Sequence, residues 1–267
     1  MENLLTALYV IPNYQCNLAC PHCTLHNYNI EYDEETFIDT LVKTNAKKCI
    51  LFGGEPLLYF ERFKRILETK KIHSISTNLL LLSRESLNLI KHYNISIATS
   101  WNLKRFTNDQ LNKWFDNIKN VQCDVLITMT DDLITKSGTE KMFEILEHLE
   151  NFGTVKNIIF EQVVDDRMDE QHYEQVDNWL CNIHDNWHFK MNNAIEDKLD
   201  KCILDCSKVK TLEPNGILHN GCPQFKTVHI VNKCLSCELN KICKPCILQK
   251  HCTFPTKLYN KLKVILK

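Results

Sequence analysis

Short β-branched runs alternate with helix-period segments six times between residues 7 and 164. The runs are ALYVI (7–11), CILF (49–52), HSIST (73–77), ISIATS (95–100), DVLITMT (124–130) and NIIFEQVV (157–164). Phe37, Ile38, Leu41 and Val42 predict a helix after Asp33, and Phe60, Phe63 and Leu67 predict another after the second run. Thr107 and Gln110 form a T-x-x-Q capping box ahead of Leu111, Trp114, Phe115 and Ile118. Ser137 and Glu140 suggest a second one ahead of Met142, Leu146 and Leu149, with Gly153 as the stop. Strand–helix units in series predict a parallel sheet with right-handed crossovers. A closed eight-unit barrel takes about 250 residues, so six units predict an incomplete, open barrel. In such folds the chemistry sits at the C-terminal ends of the strands. Those ends are polar here: the 16–23 loop, Gly53–Pro56, Thr77-Asn78, Ser100-Trp101-Asn102, Thr128 and Thr130, and Glu161-Gln162.

Cysteine is the residue that departs from an ordinary composition. The chain has 267 residues and 14 cysteines: three at 16–23, eight at 202–252, and Cys49, Cys123 and Cys181 between. The near-zero formal charge of -1 gives no basic field for nucleic acid. The apolar runs are too short to span a membrane, and the N-terminus lacks the basic region of a signal peptide. These features predict a cytoplasmic protein, and in a reducing compartment clustered cysteines predict metal ligation rather than disulfides.

The stretch PNYQCNLACPHC (12–23) carries Cys16, Cys20 and Cys23 at C-x3-C-x2-C spacing. A structural zinc site wants four ligands. Three thiolates suit an iron–sulfur cluster with one iron left open to a non-protein ligand. The competing reading is a zinc site completed by His22 or His26. Cys49, at the start of the second run, is expected at the far end of the sheet. Together with GGEP at Gly53, Gly54, Glu55 and Pro56, the loop resembles the radical S-adenosylmethionine superfamily. The resemblance implies a catalytic 4Fe–4S cluster, S-adenosyl-L-methionine chelated to the open iron, and a 5′-deoxyadenosyl radical made with an electron from an external donor. It assigns Glu55 and the glycines to the ligand's ammonium, and Asn78 and Ser100 to its nucleoside or methionyl part. Leu79 stands where a glycine usually follows that Asn.

The eight C-terminal cysteines include the C-x2-C pairs Cys234/Cys237 and Cys243/Cys246. Two all-cysteine zinc sites are one reading. In this context the segment resembles a SPASM domain, which implies two auxiliary 4Fe–4S clusters. Position by position, Cys202, Cys206, Cys222 and Cys246 would hold the cluster nearer the active site, and Cys234, Cys237, Cys243 and Cys252 the outer one. The expected organisation is a partial (β/α)6 radical S-adenosylmethionine barrel over 1–185, a small cysteine-rich SPASM domain over 186–254, and a helix over 255–267.

Sulfatase-maturing members carry an acid after the cysteine aligned with Cys222, and here Pro223 follows, which disfavours that role. The first strand is expected near residue 7, so no leader-binding domain is expected ahead of it. A separate leader-recognition protein, a leaderless peptide or a small molecule are the alternatives. Cys123 and Glu161 are the candidates for hydrogen donor and base, against a buried small thiol and a strand-edge acid as the plain alternatives. His219 reads as an ordinary loop histidine, and the lysine-rich stretch 240–267 as a solvated face or a contact for an acidic leader. The expected activity is radical crosslinking, oxidation or epimerisation of a ribosomally made peptide. The rivals are a small-molecule oxidoreductase and a zinc-knuckle binding module.

Overall fold

The computed structural model describes residues 4–21, 23, 25, 28–130, 132–162 and 208–221. Six strands run in parallel in chain order: β1 (Ala7–Val10), β2 (Cys49–Leu51), β3 (Ser74–Thr77), β4 (Ser96–Trp101), β5 (Cys123–Met129) and β6 (Val155–Gln162). Each lies within a residue or two of the run that predicted it. Helices α1 (Glu34–Lys43), α2 (Lys64–Glu68), α3 (Arg84–His92), α4 (Asn108–Ile118) and α5 (Lys136–Glu150) fill the crossovers. This is the expected α/β arrangement of a partial barrel.

The helices form where local chemistry closes their first turns. Asp33 caps α1 by accepting from the Thr36 amide, and Phe37 and Leu41 turn into the core. Thr107 and Gln110 make the predicted reciprocal box on α4. That helix buries Trp114 completely, and its indole N–H donates to the Thr99 hydroxyl at 2.9 Å. The start of α5 differs from expectation. Thr135, not Ser137, accepts from the Gly138 amide at 3.1 Å, so the helix begins earlier. Gly138 permits this, because a Cβ there would stand 2.1 Å from the Asp132 carbonyl oxygen. The helix stops at Glu150 with Asn151 as its cap, ahead of Gly153. The Ser83/Ser86 box that starts α3 carried no recognised signal. The helix predicted from Phe60, Phe63 and Leu67 is divided into a 3-10 stretch, Pro56–Phe63, broken at Tyr59, and α2.

The sheet continues past β1. Strand β7 (Val209–Leu212) pairs with β1 in parallel, from Ala7↔Val209 to Val10↔Leu212, and β8 (Leu218–Asn220) returns antiparallel to β7. The eight-stranded order is β6-β5-β4-β3-β2-β1-β7-β8. This hairpin lies within the 186–254 segment that was expected to form a SPASM domain, yet its β7 is a strand of the barrel's own sheet. Its turn docks on α1. The Pro214 carbonyl accepts from the Asp33 amide, and the Gly216 carbonyl accepts from the Thr40 hydroxyl. Gly216 (φ +79°) also lies so close to Thr36 that a Cβ would be 2.5 Å from its methyl group.

Side chains alternate across the strands as the period of two requires. On β4, Ile97, Thr99 and Trp101 are buried on the helix side, while Ala98 and Ser100 on the other face are only partly covered. On β5, Cys123, Val125 and Ile127 repeat the buried face.

Candidate active site

The site grows from the C-terminal ends of β1 and β2, whose parallel pairing does not stop with the strands. The Phe52 amide donates to Val10, the Gly54 amide to Asn13 at 3.3 Å and the Glu55 amide to Gln15 at 2.8 Å. The Gly53–Glu55 backbone therefore runs against the chain that leads into the cysteine loop. Glycine is required for that approach. A Cβ on Gly53, whose φ is +130°, would sit 2.4 Å from the Asn13 oxygen, and one on Gly54 would sit 2.1 Å from the Gln15 oxygen. The resemblance assigned these glycines to a ligand; the structure shows that they also seat the loop.

Glu55 is 1% exposed. Its carboxylate accepts from the Leu57 amide (2.9 Å), the Thr77 hydroxyl (2.6 Å) and the Asn78 amide (2.7 Å). It thus caps the turn begun by Pro56 and ties the end of β2 to the end of β3. Desolvation pushes its pKa up, against those three donors and the positive charge of Arg105. Asn78, also buried, donates from its amide nitrogen to Asn17 Oδ1 at 2.8 Å and accepts from the Leu80 amide at 3.0 Å. It anchors the cysteine loop through Asn17, a partner the sequence did not suggest. Leu79 has φ +64°, in the left-handed region that glycine occupies readily, which explains why glycine suits this position. Its carbonyl is held by Asn117 at 2.7 Å.

The loop wraps a small apolar cluster of Ile11, Tyr14 and Leu25, with Tyr28, Ile30 and Phe52 packed around it. Cys20 is buried, and Cys16 and Cys23 are half-exposed. Burial pushes the Cys16 and Cys23 thiols up, and the Arg105 charge pulls both down. Arg105, in the turn after β4, is a site residue that sequence reasoning missed, because only the folded loops bring its charge to Cys16, Cys23 and Glu55. Two buried polar atoms in that turn, Asn102 Nδ2 and Arg105 Nε, have no hydrogen-bond partner among the described residues. The Arg105 charge felt at Cys16 and Cys23, with an orphaned Asn102 amide in the same turn, fits an anionic ligand. Among the described residues, no three His, Cys, Asp or Glu side chains converge on a single metal ion. An iron–sulfur cube requires no such convergence, since each thiolate takes a different iron.

The other candidates divide. Ser100 lies near the C-terminal end of β4, opposite Leu126, on the face away from the helices. Glu161 lies near the C-terminal end of β6, opposite Thr128. Cys123 does not join the site. It opens β5 at the other end of the sheet, is 1% exposed, and is pushed up to about 12 by desolvation and then by Asp124. A thiol so placed is a packed apolar group, which corrects the expectation of a hydrogen donor. Cys49 is at that same end, as expected, with its backbone amide donating to His73 Nδ1. His219 is an exposed residue of β8, not of a loop. Cys181, His22, His26, the eight cysteines from Cys202 to Cys252 and the lysine-rich stretch lie outside the described residues.

No family model matches the chain. The radical SAM cyclopropyl synthase TigE of Paramaledivibacter caminithermalis is 21% identical over 290 residues, covering 87% of this chain. The chain spans 61% of that relative's length. Among solved structures, native anSMEcpe with bound AdoMet and Cp18Cys peptide superposes with a TM-score of 0.64 at 19% identity. That match covers 84% of this chain and 75% of the other. Native anSMEcpe with bound AdoMet gives 0.63 at 18% identity, over 82% of this chain and 75% of the other. These likenesses show the fold. No helix among the described residues is long and apolar enough to cross a membrane.

Proposed function

We propose that this chain, a distant relative of the radical SAM enzymes TigE and anSMEcpe, reductively cleaves S-adenosylmethionine and modifies a ribosomally made peptide by crosslinking, oxidation or epimerisation. The observation that carries the reading is the clamp at the ends of β1, β2 and β3. Three thiols on one loop are held by Gly53–Glu55 on one side and by Asn78 on the other. Cys16, Cys20 and Cys23 would hold a 4Fe–4S cluster. Bound there, it would supply the electron that splits S-adenosylmethionine into methionine and a hydrogen-abstracting 5′-deoxyadenosyl radical.

The chain's own groups have separate tasks in this reading. Arg105 and the Asn102 amide face the ligand's carboxylate, where the unpartnered Arg105 Nε and Asn102 Nδ2 find partners. Glu55 and the adjacent backbone accept from its ammonium, and Asn78 and Ser100 border its nucleoside or methionyl part. Glu161 is retained as the candidate base. The eight C-terminal cysteines would carry two auxiliary clusters as a SPASM domain, and an external donor supplies electrons to a cytoplasmic enzyme. Peptide as substrate is supported by the anSMEcpe complex, whose description names a bound peptide. An acidic leader, or a separate recognition protein, would complete the partner set.

The test is anaerobic reconstitution followed by chemical reduction. Wild-type chain is expected to bind roughly twelve irons and to form 5′-deoxyadenosine. The variant with Cys16, Cys20 and Cys23 all changed to Ala is expected to keep roughly eight irons and form none. Cleavage that persists in the triple variant sinks the cluster assignment. Two zinc ions in place of the additional iron sink the SPASM assignment. Co-expression with a short peptide encoded nearby, followed by mass spectrometry, tests the substrate class; an unchanged peptide alongside turnover of a small metabolite overturns it.

A further inference from the structure

Tyr14 stands two residues before Cys16, and Glu213 directly follows β7. They are 6% and 1% exposed. The Tyr14 phenol donates to Glu213 Oε2 across 199 residues of sequence. A hydrogen bond from a phenol to a buried carboxylate is of the stronger, charge-assisted kind. The same short segment is gripped from its other flank. A Cβ on Gly54 would be 2.4 Å from the Tyr14 carbonyl oxygen, and the Gly54 and Glu55 amides donate to Asn13 and Gln15. Glu213 itself is fixed, because its amide donates to Ile217 and its carbonyl accepts from Gly216 within a turn docked on α1.

We infer that Tyr14 and Glu213 are a positioning pair through which the β7–β8 hairpin holds the three-cysteine loop in register with Gly53–Glu55. The inference rests on the cluster reading for its importance to catalysis, though the tie itself exists without metal. The hairpin is thereby part of the frame of the site. Without the tie the segment keeps its backbone contacts to Gly53–Glu55 and loses its side-chain anchor, so the thiols that follow should sample open positions more often.

The test uses the full, metal-free chain. Maleimide labelling of Cys16 and Cys23, mapped by mass spectrometry, is compared for wild type, Tyr14→Phe, Glu213→Leu, the double variant and Glu213→Gln. Tyr14→Phe and Glu213→Leu are each expected to speed labelling about tenfold, as loss of a hydrogen bond to a charged group implies. The double variant is expected to be no faster than either single one. Glu213→Gln still accepts from the phenol and should stay within about threefold of wild type. Cys49 and Cys123 should label at unchanged rates. Unchanged Cys16 and Cys23 rates, multiplying single effects, or a parallel rise at Cys49 and Cys123 overturn the inference. If Glu213→Leu does not fold, Tyr14→Phe and Glu213→Gln decide by the same criteria. Iron uptake by wild-type chain is scored separately: its failure sinks the cluster reading and leaves the labelling ratios to judge the pair.

Discussion

The two ends of the parallel sheet hold the same residue type in opposite circumstances. At the C-terminal ends, Cys16 and Cys23 are half-exposed on a loop within reach of the Arg105 charge, beside a buried carboxylate with three donors. At the N-terminal ends, Cys49 and Cys123 are 1% exposed within the core. One end is assembled from polar groups contributed by successive strands, and the other is closed by packing. Under the proposed cluster reading, a cysteine's position along the strand, rather than its proximity to a strand, would separate ligand from filler in this fold.

The sharpest way to break that contrast is substitution at both ends. Removing Cys16, Cys20 or Cys23 singly should abolish formation of 5′-deoxyadenosine, measured chromatographically. Cys49→Ala and Cys123→Ala should retain it and cost about 1–2 kcal/mol in denaturant unfolding, as loss of a small buried group does. Loss of the reaction in Cys123→Ala would return that thiol to the chemistry.

A second comparison sets two glycines side by side. Gly54→Ala places a methyl 2.1 Å from the Gln15 oxygen and should destabilise by about 3 kcal/mol, with impaired iron uptake. Gly153→Ala meets nothing within 4 Å and should be neutral or stabilise by about 0.5 kcal/mol. Urea midpoints read both, and equal effects would show that the close approach of the Gly53–Glu55 backbone to the loop is not a constraint.

The remaining effect is a pH dependence. Cys123 is pushed up to about 12 in the folded chain, above the ordinary thiol value near 8.5. The folded form therefore holds that proton more tightly. Its contribution to stability is complete below about pH 8.5 and is lost as pH rises through about 12. Unfolding free energy of wild type should decline by up to about 2 kcal/mol from this group between neutral pH and pH 10. Cys123→Ala should flatten the decline, and an unchanged alkaline limb would mean that the thiol is better solvated than its burial implies.

Much of this architecture was legible in the sequence. The six strands were, because runs such as DVLITMT combine β-branched residues with alternation and are punctuated by polar ends. Asp33 and the Thr107/Gln110 box were legible because caps act within three residues. The Cys16–Cys23 loop and GGEP were legible as motifs, although the reason for the glycines was not. Their neighbour is the backbone of residues 13–15, which no local pattern announces. Strands β7 and β8 carried no such run, and their identity as strands comes from pairing, β7 with β1 and β8 with β7. Arg105, Asn17 and Glu213 share one reason for having been missed. Each matters through a contact between loops distant in sequence.

The pairing of Ala7 with Val209 has a consequence for biosynthesis. Translation delivers β1 first and its outer neighbour among the last of the described residues. Until that hairpin leaves the ribosome, one flank of β1 is a bare row of amides and carbonyls, open to pairing with another nascent chain. Sheets closed by such distant segments also assemble slowly. A chain interrupted before Val209 should therefore aggregate rather than accumulate as a barrel, and the finished frame for the cysteine loop is a late product of synthesis.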